Sequence, residues 1–159
     1  MTYSILDAHD YSVFACSLNL RSIDRVECEA AGYGSSYEAL ADGLERSPYC
    51  KVGYNTKTDE VDFVFGVAED PEVPSVGIPW LLATDKLKIT KSWLRRCKEE
   101  IFPEVDVLYP ILQNYVHQDN HESIRWLKWL GFSFYEAEGI PFYIFTKLGG
   151  NPICVHPQQ

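Results

Sequence analysis

A mixed α/β fold of about seven strands and four or so helices is predicted by three features of the 159-residue chain. The first third sets helix-spaced apolar residues behind one short strand. The middle carries three strand-like segments in succession, and the last third runs helix, strand, helix and two strands. Strands grouped in runs, rather than strictly alternating with helices, give the sheet an α+β character. One folded domain over residues 1–149, followed by a short polar tail at 150–159, accounts for the length.

Residues 3–7 read as an opening strand, and Asp10 caps a helix that turns Val13, Phe14 and Leu18 inward. A second helix restarts at Ser22 with Ile23, Val26 and Ala30 on its inner face, and Gly32 ends it. Ser35 or Ser36 caps a third, with Tyr37, Leu40 and Leu44 at helical spacing, and Pro48 forbids its continuation. Residues 51–54 and 60–68 are rich in β-branched and aromatic side chains around the turn-forming 55–59, which makes them an antiparallel hairpin. After an acidic, proline-bearing loop at 69–75, residues 76–83 form a nearly continuous apolar strand of the kind buried on both faces, the candidate centre of the sheet. Thr90 caps a helix that buries Trp93, Leu94, Cys97 and Ile101 and stops before Pro103. A strand at 112–117 leads to Asn120, the cap of a helix that Gly131 closes. Strands at 132–135 and 142–146 then meet through a turn at Gly139, Ile140 and Pro141.

Composition narrows the function classes. Eight Phe, ten Tyr and four Trp supply a packed interior, so disorder is not expected. No apolar run approaches the roughly 20 residues that span a bilayer, and no basic-then-apolar leader opens the chain, so a cytoplasmic location without membrane association is expected. Five cysteines, odd in number and without a C-x-x-C pair, fit reduced thiols better than a disulfide or zinc framework. His117 and His121 straddle a strand-to-helix boundary and share no helix face, so no metal site is expected. A net charge of −9 disfavours general nucleic-acid binding. The basic residues are nonetheless segregated: Lys86, Lys88, Lys91, Arg95, Arg96 and Lys98 follow one another with no acid until Glu99. Beside a helix start such an island attracts phosphate as point charges; equally, it is a solvated cationic face or a partner-binding patch.

The segment from Asn120 to Phe132 carries Ser123 three residues after the Asn, then Trp126 and Leu127, then Leu130, Gly131 and Phe132. In spacing it resembles a motif of the GNAT acyltransferase superfamily, and the order of elements is similar to the GNAT fold. That resemblance implies two parallel strands that splay in a V, acetyl-CoA or CoA with its acyl arm in the gap, and transfer of an acetyl group to an amine. The cofactor-binding set it implies is Ala83, Asp85, Lys86, Lys88, Thr90, Lys91, Asn120 and Ser123. Two departures stand out. The turn after the central strand, Thr84 to Thr90, contains no glycine. Leu127 occupies the place of the Tyr that protonates the leaving thiolate in the family. Tyr135 or Tyr143 are candidate replacements for that acid, and His117 or Asp85 for a base, against the alternative that each is a packing or surface residue.

A further resemblance, to a GNAT-like internal virion protein family of short-tailed phages, rests on Trp80 to Asp85, Asn114 to Val116, Asn120, Ser123 to Arg125, Leu127, Lys128 and Gly131. It implies a phage-encoded protein with virion or host proteins as partners, in the host cytoplasm or the particle. The alternative function is then a non-catalytic assembly protein that uses the fold as a binding scaffold.

Overall fold

A computed structural model describes residues 3–148; the expected tail at 150–159, with Cys154, lies outside the described residues. Seven strands form one sheet in the order β1-β2-β3-β4-β5-β7-β6. In chain order they are β1 (Tyr3–Asp7), β2 (Tyr49–Asn55), β3 (Glu60–Glu69), β4 (Val76–Ala83), β5 (Ile111–His117), β6 (Ser133–Glu136) and β7 (Phe142–Leu148). The first four are antiparallel neighbours, β4 and β5 are parallel, and β5 pairs antiparallel with β7. The helices are α1 (Asp10–Ser17), α2 (Ser22–Ala30), α3 (Ser36–Arg46), α4 (Lys91–Arg96), α5 (Phe102–Leu108) and α6 (His121–Trp129).

Strand alternation sends the side chains of β3 to two different layers. Phe63, Phe65 and Val67 join Trp93, Cys97, Ile101 and Val105 from α4–α5 and Leu127 from α6 in the larger core. Val64 faces the other way, into a smaller core with Val13, Cys16 and Leu40 from α1 and α3. The sheet is therefore sandwiched between α1–α3 on one face and α4–α6 on the other.

The caps at Ser35, Thr90 and Asn120 each accept a backbone N–H from the first turn. Gly131 closes α6 at φ 102°, the left-handed region that a side chain resists.

Three local expectations are corrected. In α1 the inward residues are Val13 and Cys16, whereas Phe14 and Leu18 are exposed, and His9 rather than Asp10 caps the helix. In α2 the buried residues are Asp24 and Cys28, while Val26 is exposed. The helix after Thr90 does not stop before Pro103: a π-turn, Cys97–Ile101, joins α4 to α5, and the proline sits in the first turn of α5, where its missing N–H is harmless.

Candidate functional site

β4 is the middle strand of seven, yet Ile78, Pro79, Trp80, Leu81 and Leu82 are only half-buried. The cause lies in its pairing with β5, which holds only at Val76 with Ile111 and Gly77 with Leu112. Beyond Gly77 the next residue facing β5 is Pro79, which has no N–H to continue the ladder. Asn114 of β5 reaches over instead and donates its side-chain amide to the Pro79 carbonyl at 2.8 Å. The strands then part, and by alternation the N–H and C=O of Leu81 face the gap. A cavity of about 500 Å³ fills it, lined from the α2–α3 layer and from the α4–α6 layer alike, so it passes through the sheet.

At the mouth, where β5 has moved away, the α1–α2 connection takes the open edge of β4. Leu20 bridges to Thr84, and the Arg21 N–H donates to the Ala83 carbonyl at 2.8 Å. The Ala83 N–H donates to Asp24 Oδ2 at 2.8 Å. The Arg21 guanidinium grips both Asp24 oxygens at 3.0 Å and reaches Glu122 on α6 at 3.2 Å. These contacts tie α2, β4 and α6 together across the parted strands. Burial lifts the Asp24 pKa above its ordinary value, against the pull of Arg21 and the Ala83 amide. Burial works against the Arg21 charge as well, but its carboxylate partners hold it above the ordinary value.

Asn120 is buried, and both ends of its amide are engaged. Its Oδ1 caps α6 by accepting from the Ser123 N–H at 3.3 Å, and its Nδ2 donates to Glu27 Oε1 at 2.6 Å. Glu27 lines the cavity from α2. Burial pushes its pKa up to about 7, the nearby Asp24 charge adds to the rise, and the bonds from Asn120 and the His117 backbone oppose it. A carboxyl group that changes state near neutrality at a cleft is suited to proton transfer.

Other expected site residues are spread more widely. Ser123 lines the cavity with Asn120, and Asp85 joins Arg21, Asp119, Asn120 and Glu122 around a smaller polar cleft at the mouth. Between β4 and α4 the glycine-free loop folds on itself. Lys86 N–H bonds to Thr84 Oγ1, the Leu87 N–H bonds to the Thr84 carbonyl, and the Leu87 side chain sinks into the core. Lys86 pairs with Glu60. Lys88, Lys91 and Arg95 project into solvent without a side-chain partner among the described residues, and the Thr90 hydroxyl is occupied as a cap. His117 lies beside Phe142, its Nδ1 accepting the Asp119 N–H at 3.0 Å, and does not line the cavity. Tyr135 is exposed on the edge strand β6, and Tyr143 packs against Phe134 on β7, both outside the cavity wall. No group of three potential metal ligands gathers among the described residues, and no described helix is long and apolar enough to cross a membrane.

Several solved structures share this architecture. A GNAT superfamily phosphinothricin acetyltransferase from Sinorhizobium meliloti in complex with acetyl-CoA matches 100% of this chain and 95% of its own at 14% identity, with a TM-score of 0.66. A GNAT family acetyltransferase from Streptococcus pneumoniae matches 93% and 99% at 13% identity and a TM-score of 0.60. The ribosomal-protein-S5-alanine acetyltransferase from Vibrio fischeri matches 94% of each chain at 11% identity and 0.60. The chain has the GNAT fold. No protein-family model and no curated protein sequence matches it. Within the GNAT fold, Leu127 is a core residue, 8% exposed, and the Arg21–Asp24–Glu122 bridge spans the end of the splay.

Sequence reasoning missed Arg21, Asp24 and Glu27. The signal was present: three charged residues spaced three apart lie along one stripe of a helix, a periodicity as regular as the apolar one that was followed instead.

Proposed function

We propose that the chain is an acyl-CoA-dependent acyltransferase that acylates an amine. The observation that carries this is the parting of β4 from β5 after Gly77, with an apolar cavity through the sheet at that point. The gap fits an acyl-thioester arm: its walls are apolar, and the Leu81 peptide offers a strand edge. The diphosphate end of such a molecule would meet Lys88, Lys91 and Arg95 as mobile point charges instead of a backbone cradle. When bound, the thioester would supply the electrophilic carbonyl, and the protein's part is to hold that carbonyl and the amine together in a site screened from water.

A second reading, a non-catalytic protein that uses the fold as a binding scaffold, is favoured by one specific feature. The backbone groups of Ala83 are already bonded to Arg21 and Asp24, and carboxylates of Asp85, Asp119 and Glu122 crowd the mouth. Calorimetry with acetyl-CoA separates the two. Saturable binding that weakens in Lys88→Ala/Lys91→Ala is expected of the transferase, and no heat at millimolar acetyl-CoA refutes it in favour of the scaffold.

A further inference from the structure

The cavity has two unlike halves. On the α4–α6 face its walls are large and apolar. On the α2–α3 face it is floored by small residues, Cys28, Ala31, Ala39 and Gly43, around the indole of Trp80. That indole is fixed. Its Nε1–H donates to Ser47 Oγ at 2.8 Å, and a Cβ at Gly43 would meet the ring at 2.7 Å, so the helix backbone lies directly against it. A rigid aromatic wall facing small side chains across a cavity is shaped for a flat apolar group.

Charge sets what that group carries. Asp42 on this wall is already used by Tyr33, at 2.5 Å, and by Arg46, at 3.3 Å. Glu27 is the wall carboxylate whose partners, Asn120 and the His117 backbone, leave acceptor positions open. Around it stand Asp24 and Arg21 from the start of α2, Cys28 beside it, and His117 and Asn120 from the β5–α6 junction. Arg21 is committed to Asp24 and Glu122, and Arg46 to Asp42, so no unpaired cation among the described residues of this half competes for Glu27.

We propose that this half of the cavity takes a primary amine carried on a flat, apolar body about one ring in size, and that Glu27, held by Asn120 as a positioning residue, receives its proton. The ammonium R–NH₃⁺ docks against the Glu27 carboxylate while the body lies along Trp80. One N–H bond breaks, the proton passes to a Glu27 oxygen, and the electron pair stays on nitrogen as the nucleophile; Glu27 later returns the proton to solvent. The use of that nucleophile rests on the acyl-transfer reading, but the occupancy of the half-cavity does not.

The test is calorimetry on the whole protein without acetyl-CoA, using 2-phenylethylamine, ethylamine and phenylacetate at pH 8. Phenylethylamine is expected to bind roughly tenfold or more tighter than ethylamine, with phenylacetate undetectable. Its affinity should fall as pH drops below 7 and Glu27 takes up a proton. In Glu27→Gln that pH dependence should vanish and affinity at pH 8 should drop at least several-fold. Asn120→Ser keeps a cap oxygen on α6 and removes the amide donor, so the midpoint of the pH dependence should move upward, which a purely structural role would not produce. Phenylacetate binding as well as phenylethylamine, or Glu27→Gln keeping the wild-type pH profile, overturns the proposal. Because the ligand series runs on the unaltered protein, it stays decisive if a variant fails to fold. A protein that binds acetyl-CoA but not phenylethylamine sinks this inference alone; one that binds phenylethylamine but not acetyl-CoA sinks the transferase reading alone.

Discussion

Replacing Asp24 by Ala removes three bonds, from Arg21 Nε and Nη2 at 3.0 Å each and from the Ala83 N–H at 2.8 Å. The two side chains are 11% and 2% exposed, so neither Arg21 nor the Ala83 amide regains water without movement. Breaking a buried pair from one side costs about 3–5 kcal/mol, and the orphaned amide is part of that sum rather than an addition to it. Glu122 still holds Arg21 at 3.2 Å, which places the loss at the lower end, about 3 kcal/mol. For a chain of this length that is a fall of roughly 6–12 °C in Tm. Urea unfolding followed by circular dichroism reads it as a lower midpoint at unchanged slope. The double variant Arg21→Leu/Asp24→Leu removes both charges and is expected to recover a large part of the loss. A single variant costing under about 1 kcal/mol, or a double variant no better than the single, would refute the claim that this pair latches α2 to the open edge of β4.

Three other outcomes are expected. Glu27 has its pKa raised to about 7 from 4.5, so between those values the folded state holds more proton than the unfolded one, and stability falls as pH rises through that window. Glu27→Gln should flatten the slope and gain up to about 3 kcal/mol at pH 8, measured by urea unfolding across pH 4–8. Lys88→Ala/Lys91→Ala, altering two exposed side chains, should leave stability within about 0.5 kcal/mol of wild type while acetyl-CoA binding loses part of its salt dependence in calorimetric titrations at two ionic strengths. Gly43→Ala would press a methyl against Trp80 at 2.7 Å, which should cost about 1–3 kcal/mol and shift the Trp fluorescence, since the indole must move to admit it.

Where one local cause dominates, these residues announce their structure. The hairpin of β2 and β3 follows from alternating apolar residues around Asn55 to Asp59, and α6 from an Asn120 cap and a Gly131 stop. Asp24 and Glu27 did not announce themselves as inward-facing. Their burial depends on Ala83 and Asn120, 59 and 93 residues further along, and helical periodicity is blind to partners at that range. β4 is the central strand that its apolar run predicts, but it is only half-buried, for a related reason. An apolar run looks buried on both faces, but Pro79 withholds the N–H that the β5 side requires, and a proline inside a would-be central strand was itself the available warning.

The two faces of the cleft differ in charge as well as shape. On the α2 side stand Glu27, with Asp85, Asp119 and Glu122 at the adjoining mouth, countered by Arg21, which Asp24 already neutralises. The exposed cations without a side-chain partner among the described residues, Lys88, Lys91 and Arg95, lie in the loop after β4 and on α4, outside the lining of both clefts. On the transferase reading, a diphosphate would be drawn outward to those cations and an ammonium inward to Glu27. A chain whose net charge is −9 would otherwise favour the cation everywhere. On the transferase reading, the six basic residues in a single run after Asp85 would give an anionic ligand a separate approach, so scattering them over the surface at constant net charge should weaken acetyl-CoA without touching amine binding. Paired calorimetric titrations of such a charge-shuffled variant would show it, and equal losses for both ligands would mean that the field around the cleft does not sort them.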